Sequence, residues 1–204
     1  MIESGSDGQR PVRILGIAGS LSRDSHNRAM LRAAARLAPE GVTVEVYDGL
    51  ETVPVFSEDL EAEPPPGVVS LRQALRRADG LLLATPEYNQ SVPGVVKNMI
   101  DWISREDDLA GLPVAVIGAS TGPWGTRIAQ SILRQMLLSV QAVVMSDPTL
   151  FVPHVEALLD DDGELVDPQT SRRLQGVVTT LADWIRLVAP GGVELRWSEA
   201  SRPG

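Results

Sequence analysis

Not one cysteine occurs among the 204 residues. That absence removes disulfide frameworks, thiolate nucleophiles, thiolate-bound metals and dithiol redox chemistry together. Any electron transfer by this chain must therefore run through a bound cofactor. Long apolar runs are missing as well. None approaches the ~20 residues of a membrane-spanning helix, and the opening MIESGSDGQR is polar where a secretory leader would be apolar. The expected location is the cytoplasm, with no membrane partner. Basic charge is in deficit, with 18 Lys and Arg against 27 Asp and Glu for a net charge of −9. That is the wrong sign for a protein that neutralises a phosphate backbone, so no nucleic-acid partner is expected. The two histidines, His26 and His154, have no metal-binding companions at useful spacing, and no metal site is expected.

What is present is a 43% hydrophobic chain of a length that suits one domain, expected over 1–204 with loose ends near 1–11 and 190–204. Short β-branched or Leu-rich runs alternate with stretches of helical period, which is the α/β pattern. Strands are expected at Val12–Ala18, Val42–Tyr47, Gly80–Ala84, Pro113–Ala119 and Ala142–Met145. Most are continuous apolar runs, as parallel strands covered on both faces require. Helices are expected at Ser25–Leu37, Gly67–Arg77, Pro93–Ser104, Gly125–Val140 and Ser171–Val188. Five of each fit a doubly wound parallel sheet whose ligands bind beyond the carboxyl ends of the strands. The acidic, proline-bearing stretches Asp48–Pro66 and Ser146–Pro168 read as surface excursions.

Three segments carry chemistry. GIAGSLSRDSHNRAM follows the first strand but has neither the GxGxxG of a dinucleotide loop nor the GxxxxGK[ST] of a P-loop. Ser20, Ser22, Ser25 and Asn27 instead offer hydroxyl and amide groups beside a helix start, which suits one terminal phosphate better than a pyrophosphate. Singly, Ser25 or Asp24 is better read as a helix cap; together the four favour a cradle, with Arg23 and Arg28 as possible countercharge. TPEYNQSVPGVVKNMIDW begins at the end of the third strand, and Tyr88 offers a ring beside a planar ligand. Met99, Trp102 and Ile103 are spaced for core or subunit packing. ASTGPWGTR follows the fourth strand, with glycines that let the main chain come close to a ligand.

Together, in this order, these segments resemble the NAD(P)H-dependent FMN reductase family, whose members include quinone, azo-dye and chromate reductases. The likeness spans roughly residues 12 to 145. Two departures stand out: Ser22 where a basic residue is common, and Pro123-Trp124 between the glycines after the fourth strand. The resemblance implies a flavodoxin-like five-stranded parallel sheet in a three-layer α/β/α sandwich. It implies that Ser20, Ser22, Ser25 and Asn27 hold the FMN phosphate, that Pro86, Glu87, Tyr88 and Asn89 line the isoalloxazine, and that Ser120, Thr121, Gly122 and Gly125 approach its other side.

It also implies NADPH or NADH as donor, a small-molecule electron acceptor, ping-pong turnover, and a homodimer or homotetramer. No catalytic acid, base or nucleophile is required, because the cofactor supplies the redox chemistry. Two other readings stand beside the enzyme: a flavodoxin-like electron carrier, and a flavin-binding protein without turnover. Arg23, Arg105 and Arg127 are the candidates for contact with an NADPH 2′-phosphate.

Overall fold

The computed structural model describes residues 10–188. Apart from Arg10 and Pro11, the expected loose ends lie outside them. Six strands alternate with five helices: β1 (Val12–Ala18), α1 (His26–Leu37), β2 (Val42–Tyr47), α2 (Pro66–Arg77), β3 (Gly80–Ala84), α3 (Gly94–Ile103), β4 (Pro113–Ala119), α4 (Arg127–Ser139), β5 (Val143–Val144), β6 (Leu150–Val152) and α5 (Pro168–Val188).

The sheet is parallel in the order β2-β1-β3-β4-β5, with β6 also on β4. Order reverses beside β1, so the loops leaving β1 and β3 diverge there and open a crevice at the carboxyl edge. β3 and β4 are buried at every position, while β2 at the edge alternates buried and exposed residues over its first four positions.

Alternate strand residues feed two cores. Ile14, Leu82 and Ile117 pack with Met30 and Leu31 of α1 and Leu174, Val178 and Leu181 of α5. Leu15, Leu83 and Val116 pack with Leu71 of α2, Met99 and Trp102 of α3 and Leu133 of α4. The three-layer flavodoxin-like architecture is as the resemblance implies. Met99, Trp102 and Ile103 are fully enclosed, which settles their role as core. The Trp102 indole donates to Pro54 O at 2.8 Å and meets the Phe56 ring edge-on with centroids 5.0 Å apart.

The fifth strand departs from expectation. Instead of one run over Ala142–Met145, β5 pairs with Pro113–Val114 and β6 with Ile117–Ala119 on the same edge of β4. One strand position is thus shared by two segments with Met145–Thr149 between them. Ser146–Pro168 is consequently not a surface excursion throughout: Leu150, Val152 and Val155 are core residues. Leu150 and Val152 do have strand spacing, but the run is only three residues long and is set among acidic and proline residues. Asp48–Pro66 is likewise anchored, through buried Leu50 and Val53.

Helix boundaries shift by a residue or a few for local reasons. Ser25 caps α1 rather than joining it, its hydroxyl accepting from Arg28 N at 3.3 Å. α5 starts three residues early because Asp167 accepts from Thr170 N at 2.7 Å. That backbone bond, with help from the Thr170 hydroxyl, holds the Asp167 carboxyl below its usual range.

Candidate active site

Three loops leave the carboxyl edge side by side, after β1, β3 and β4. The first is pressed flat. Gly19 N donates to Ala84 O at 2.8 Å, and a Cβ on Gly19 would lie 2.5 Å from Val96 Cγ2. No other residue fits there without moving α3. Ser20 is buried, and its hydroxyl accepts from Ser22 N at 3.3 Å and faces the Tyr88 hydroxyl at 3.3 Å, bridging the first loop to the second.

Asn27 is 2% exposed and spans α1 to β4: its Nδ2 donates to Ala119 O at 3.0 Å, and its Oδ1 accepts from Ala119 N at 2.9 Å. The reason lies in the ladder. β3 ends at Ala84, and Thr85 N donates to Ile117 O at 3.0 Å as the last bond on that side of β4. The next main-chain groups on the same edge belong to Ala119, and a side-chain amide takes the place of the missing strand.

The second loop turns tightly. Tyr88 and Ser91 exchange two main-chain bonds of 3.0 and 3.1 Å around Asn89 (φ 51°) and Gln90 (φ 59°), a type I′ pair that leaves Tyr88 half exposed. Glu87, just before this hairpin, accepts from Ile128 N at 2.9 Å and Ala129 N at 3.0 Å at the start of α4.

The third loop leans on the segment after the fifth strand position. Ser120 N donates to Val152 O at 3.0 Å, and His154 N to Gly122 O at 3.2 Å. Gly125 has φ 61°, and a Cβ there would meet Val152 N at 2.9 Å, so both conformation and space demand glycine.

Between the loops lies an open cleft of roughly 270 Å³. Of the twelve residues expected at the site, nine line it: Ser20, Ser22, Ser25, Asn27, Pro86, Glu87, Tyr88, Ser120 and Thr121. Asn89 instead builds the hairpin, Gly122 receives the His154 amide, and Gly125 backs onto β6. Asp24, His26 and Ala119 complete the lining without having been singled out as ligand contacts. Their signal was position alone, at the entry to α1 and at the end of β4. A larger hollow of about 410 Å³ adjoins the cleft through Asp24, Ser25 and His26, but its far wall is the acidic run Asp160–Asp162.

The arginines expected as phosphate countercharge, Arg23 and Arg28, and those expected at an NADPH 2′-phosphate, Arg23, Arg105 and Arg127, are not in the cleft lining. Arg28 pairs with Asp48 at 3.2 Å, Arg23 lines the adjoining hollow, Arg105 binds Glu61 at 2.7 Å, and Arg127 lies over the Phe151 ring at 4.6 Å. The donors at the α1 end are the Ser20, Ser22 and Ser25 hydroxyls and the first-turn amides of α1, which have no carbonyl one turn back, while the carboxylates of Asp24 and Glu87 also line the cleft. At one end of the cleft lie Ser20, Ser22 and the entry to α1; at the other, Pro86–Tyr88 face Ala119–Thr121.

A family model described as NADPH-dependent FMN reductase matches residues 12–157. The 2-hydroxy-1,4-benzoquinone reductase of a Burkholderia species is 38% identical over 178 residues, covering 86% of this chain and 97% of the relative. An NAD(P)H-dependent FMN reductase of Pseudomonas aeruginosa is 39% identical over 178 residues, covering 86% and 96%. Among solved structures, FerB, a flavoenzyme NAD(P)H:(acceptor) oxidoreductase from Paracoccus denitrificans, matches with a TM-score of 0.78 at 34% identity, over 85% of this chain and 97% of that one.

Proposed function

Because this chain belongs to the NADPH-dependent FMN reductase family, an enzyme family that works with FMN and NAD(P)H, we propose that it carries electrons from NAD(P)H to a quinone by a ping-pong route. The observation that carries this reading is the lining of the cleft, where the Ser20, Ser22 and Ser25 hydroxyls at the entry to α1 adjoin Pro86, Tyr88, Ser120 and Thr121 of the other two loops. That matches the two parts of FMN, a phosphate tail and a planar ring. The donor set fits a monophosphate: the Ser20, Ser22 and Ser25 hydroxyls and the α1 amides are all donors to an oxyanion. Ser20 must then share its hydroxyl between phosphate and Tyr88. Asn27 works from behind, since both ends of its side-chain amide are committed to Ala119. Its contribution toward the phosphate is the main-chain N–H.

Pro86 and Tyr88 form one side of the slot, and Ser120 and Thr121 the other. Gly122 has no protein atom within 4 Å of where a Cβ would project, so packing does not require glycine there, whereas a ligand against the main chain would. Bound in this cleft, FMN supplies the redox chemistry, taking an electron pair from the nicotinamide and passing it to the acceptor. The protein holds the ring between two walls and leaves the slot open to water. NAD(P)H gives two electrons and one proton, the quinone takes two electrons and two protons, and solvent provides the second proton.

A quinone is favoured as acceptor by the name of the benzoquinone-reducing relative and by the exposed apolar side chains Leu21, Tyr88 and Trp124 on the three loops and Ile128 at the start of α4. Free flavin, azo compounds and chromate are the further candidates. The same apolar collar supports a homodimer or homotetramer formed near the flavin. Among the described residues no helix is long and apolar enough to cross a membrane; a cytoplasmic location is proposed together with the enzyme role.

Steady-state kinetics test the reading. Varying NADPH at several fixed quinone concentrations should give parallel double-reciprocal lines, and rapid mixing with NADPH alone should bleach the flavin absorbance at least as fast as turnover. Intersecting lines would show donor and acceptor bound together. Failure of NADPH to bleach the flavin, where a partner reductase succeeds, would make this an electron carrier.

A further inference from the structure

We propose that Glu87 is a positioning residue for FMN binding, acting through the cap it places on α4 rather than through contact with the ring. This rests on the reading that FMN occupies the cleft.

α4 begins without the usual local cap. Thr126 precedes it in the left-handed region at φ 66° and makes no side-chain bond to the first turn. The Thr126 hydroxyl is taken by Gln130 Nε2 at 3.1 Å. The first-turn amides would then be left bare, and Ala129 is fully enclosed, so its N–H would be desolvated without a partner. One oxygen of Glu87, on a different loop, accepts from Ile128 N at 2.9 Å and Ala129 N at 3.0 Å across 41 and 42 residues of chain. A carboxylate at this position also complements the positive end of the helix dipole.

The two elements so joined carry the two walls of the slot. Glu87 sits between buried Pro86 and half-exposed Tyr88 on one wall, and α4 continues from the loop whose first residues, Ser120 and Thr121, line the other. The cap therefore sets the separation of the walls before any ligand arrives. Without it, FMN binding must itself order both loops, and that cost is read as lost affinity.

The test titrates the full-length protein, stripped of flavin, with FMN while following flavin fluorescence, for wild type, Glu87→Ala and Glu87→Gln. Amide hydrogen exchange is measured on the same three proteins without FMN. The expected result for Glu87→Ala is a roughly tenfold higher Kd, equivalent to about 1.4 kcal/mol, together with faster exchange in the first turn of α4. Glu87→Gln keeps an acceptor oxygen and loses the charge, so it should move both quantities in the same direction by less. If Glu87→Ala does not fold, the glutamine variant decides, and its Kd and its exchange must shift together. An unchanged Kd overturns the proposal. So does a raised Kd with α4 exchange unaltered, which would mean that the carboxylate touches FMN directly. Failure of wild type to bind FMN would overturn the cofactor assignment and this role with it, whereas equal binding by wild type and Glu87→Ala overturns only the role of Glu87.

Discussion

Replacing Asn27 by alanine removes the one side chain that completes the β4 ladder at the rim of the cleft. Two main-chain groups of Ala119, a residue only 1% exposed, would lose their partners at 2.9 and 3.0 Å. An unsatisfied buried donor or acceptor costs about 1–3 kcal/mol, so two of them sum to roughly 2–5 kcal/mol once partial entry of water is allowed. For a protein of this size each kcal/mol lowers Tm by about 2–4 °C, which puts the expected loss near 10 °C. Calorimetry on the purified variant without FMN measures it. Asn27→Asp should be at least as harmful, because it keeps the acceptor for Ala119 N but sets a carboxylate oxygen against Ala119 O in a site of low polarity. A fall in Tm below about 2 °C for Asn27→Ala would refute the reasoning. It would mean that water reaches Ala119 from the cleft and replaces the amide without penalty.

Gln90, exposed and held at φ 59°, should be better as glycine. Relief of the left-handed conformation is worth about 1 kcal/mol, seen as a Tm higher by about 2–4 °C. Ser20→Asp should yield a folded, colourless protein after gel filtration, because a carboxylate would face the FMN phosphate at short range; stoichiometric yellow flavin in the variant would displace the phosphate from this loop. Asp167 is held below its usual pKa of 3.8, first by the Thr170 main-chain bond. Its contribution to stability is therefore present above that value and is lost as pH falls through the lower folded-state value. Asp167→Asn should lower Tm at pH 7, and the gap to wild type should narrow progressively in melts taken at pH values falling below 3.8.

Four of the strands were legible to the residue because their signals are local. β3 and β4 are unbroken apolar runs, β1 is apolar but for the exposed Arg13, and β2 alternates. Such runs have nowhere to go but a sheet covered on both faces. The order of GSLSRDSHN, PEYN and STG along the chain was likewise enough to indicate the cleft, since in a doubly wound sheet every loop after a strand emerges at the same edge. The roles of individual side chains were not legible. Asn27 looks like a phosphate ligand beside a helix start, yet its partner lies 92 residues away in β4. Glu87 looks like a ring contact, yet its oxygen serves a helix 41 residues downstream.

The interrupted fifth strand was hidden for the same reason. β5 falls within the run expected at Ala142–Met145, but the three residues of β6, inside a stretch read as a surface excursion, become a strand only by lying along β4. Periodicity reports how a segment divides its own surface between core and water, which composition decides locally. Which main-chain groups are left without a partner depends on where neighbouring strands and helices stop, and that is known only once the chain has closed on itself.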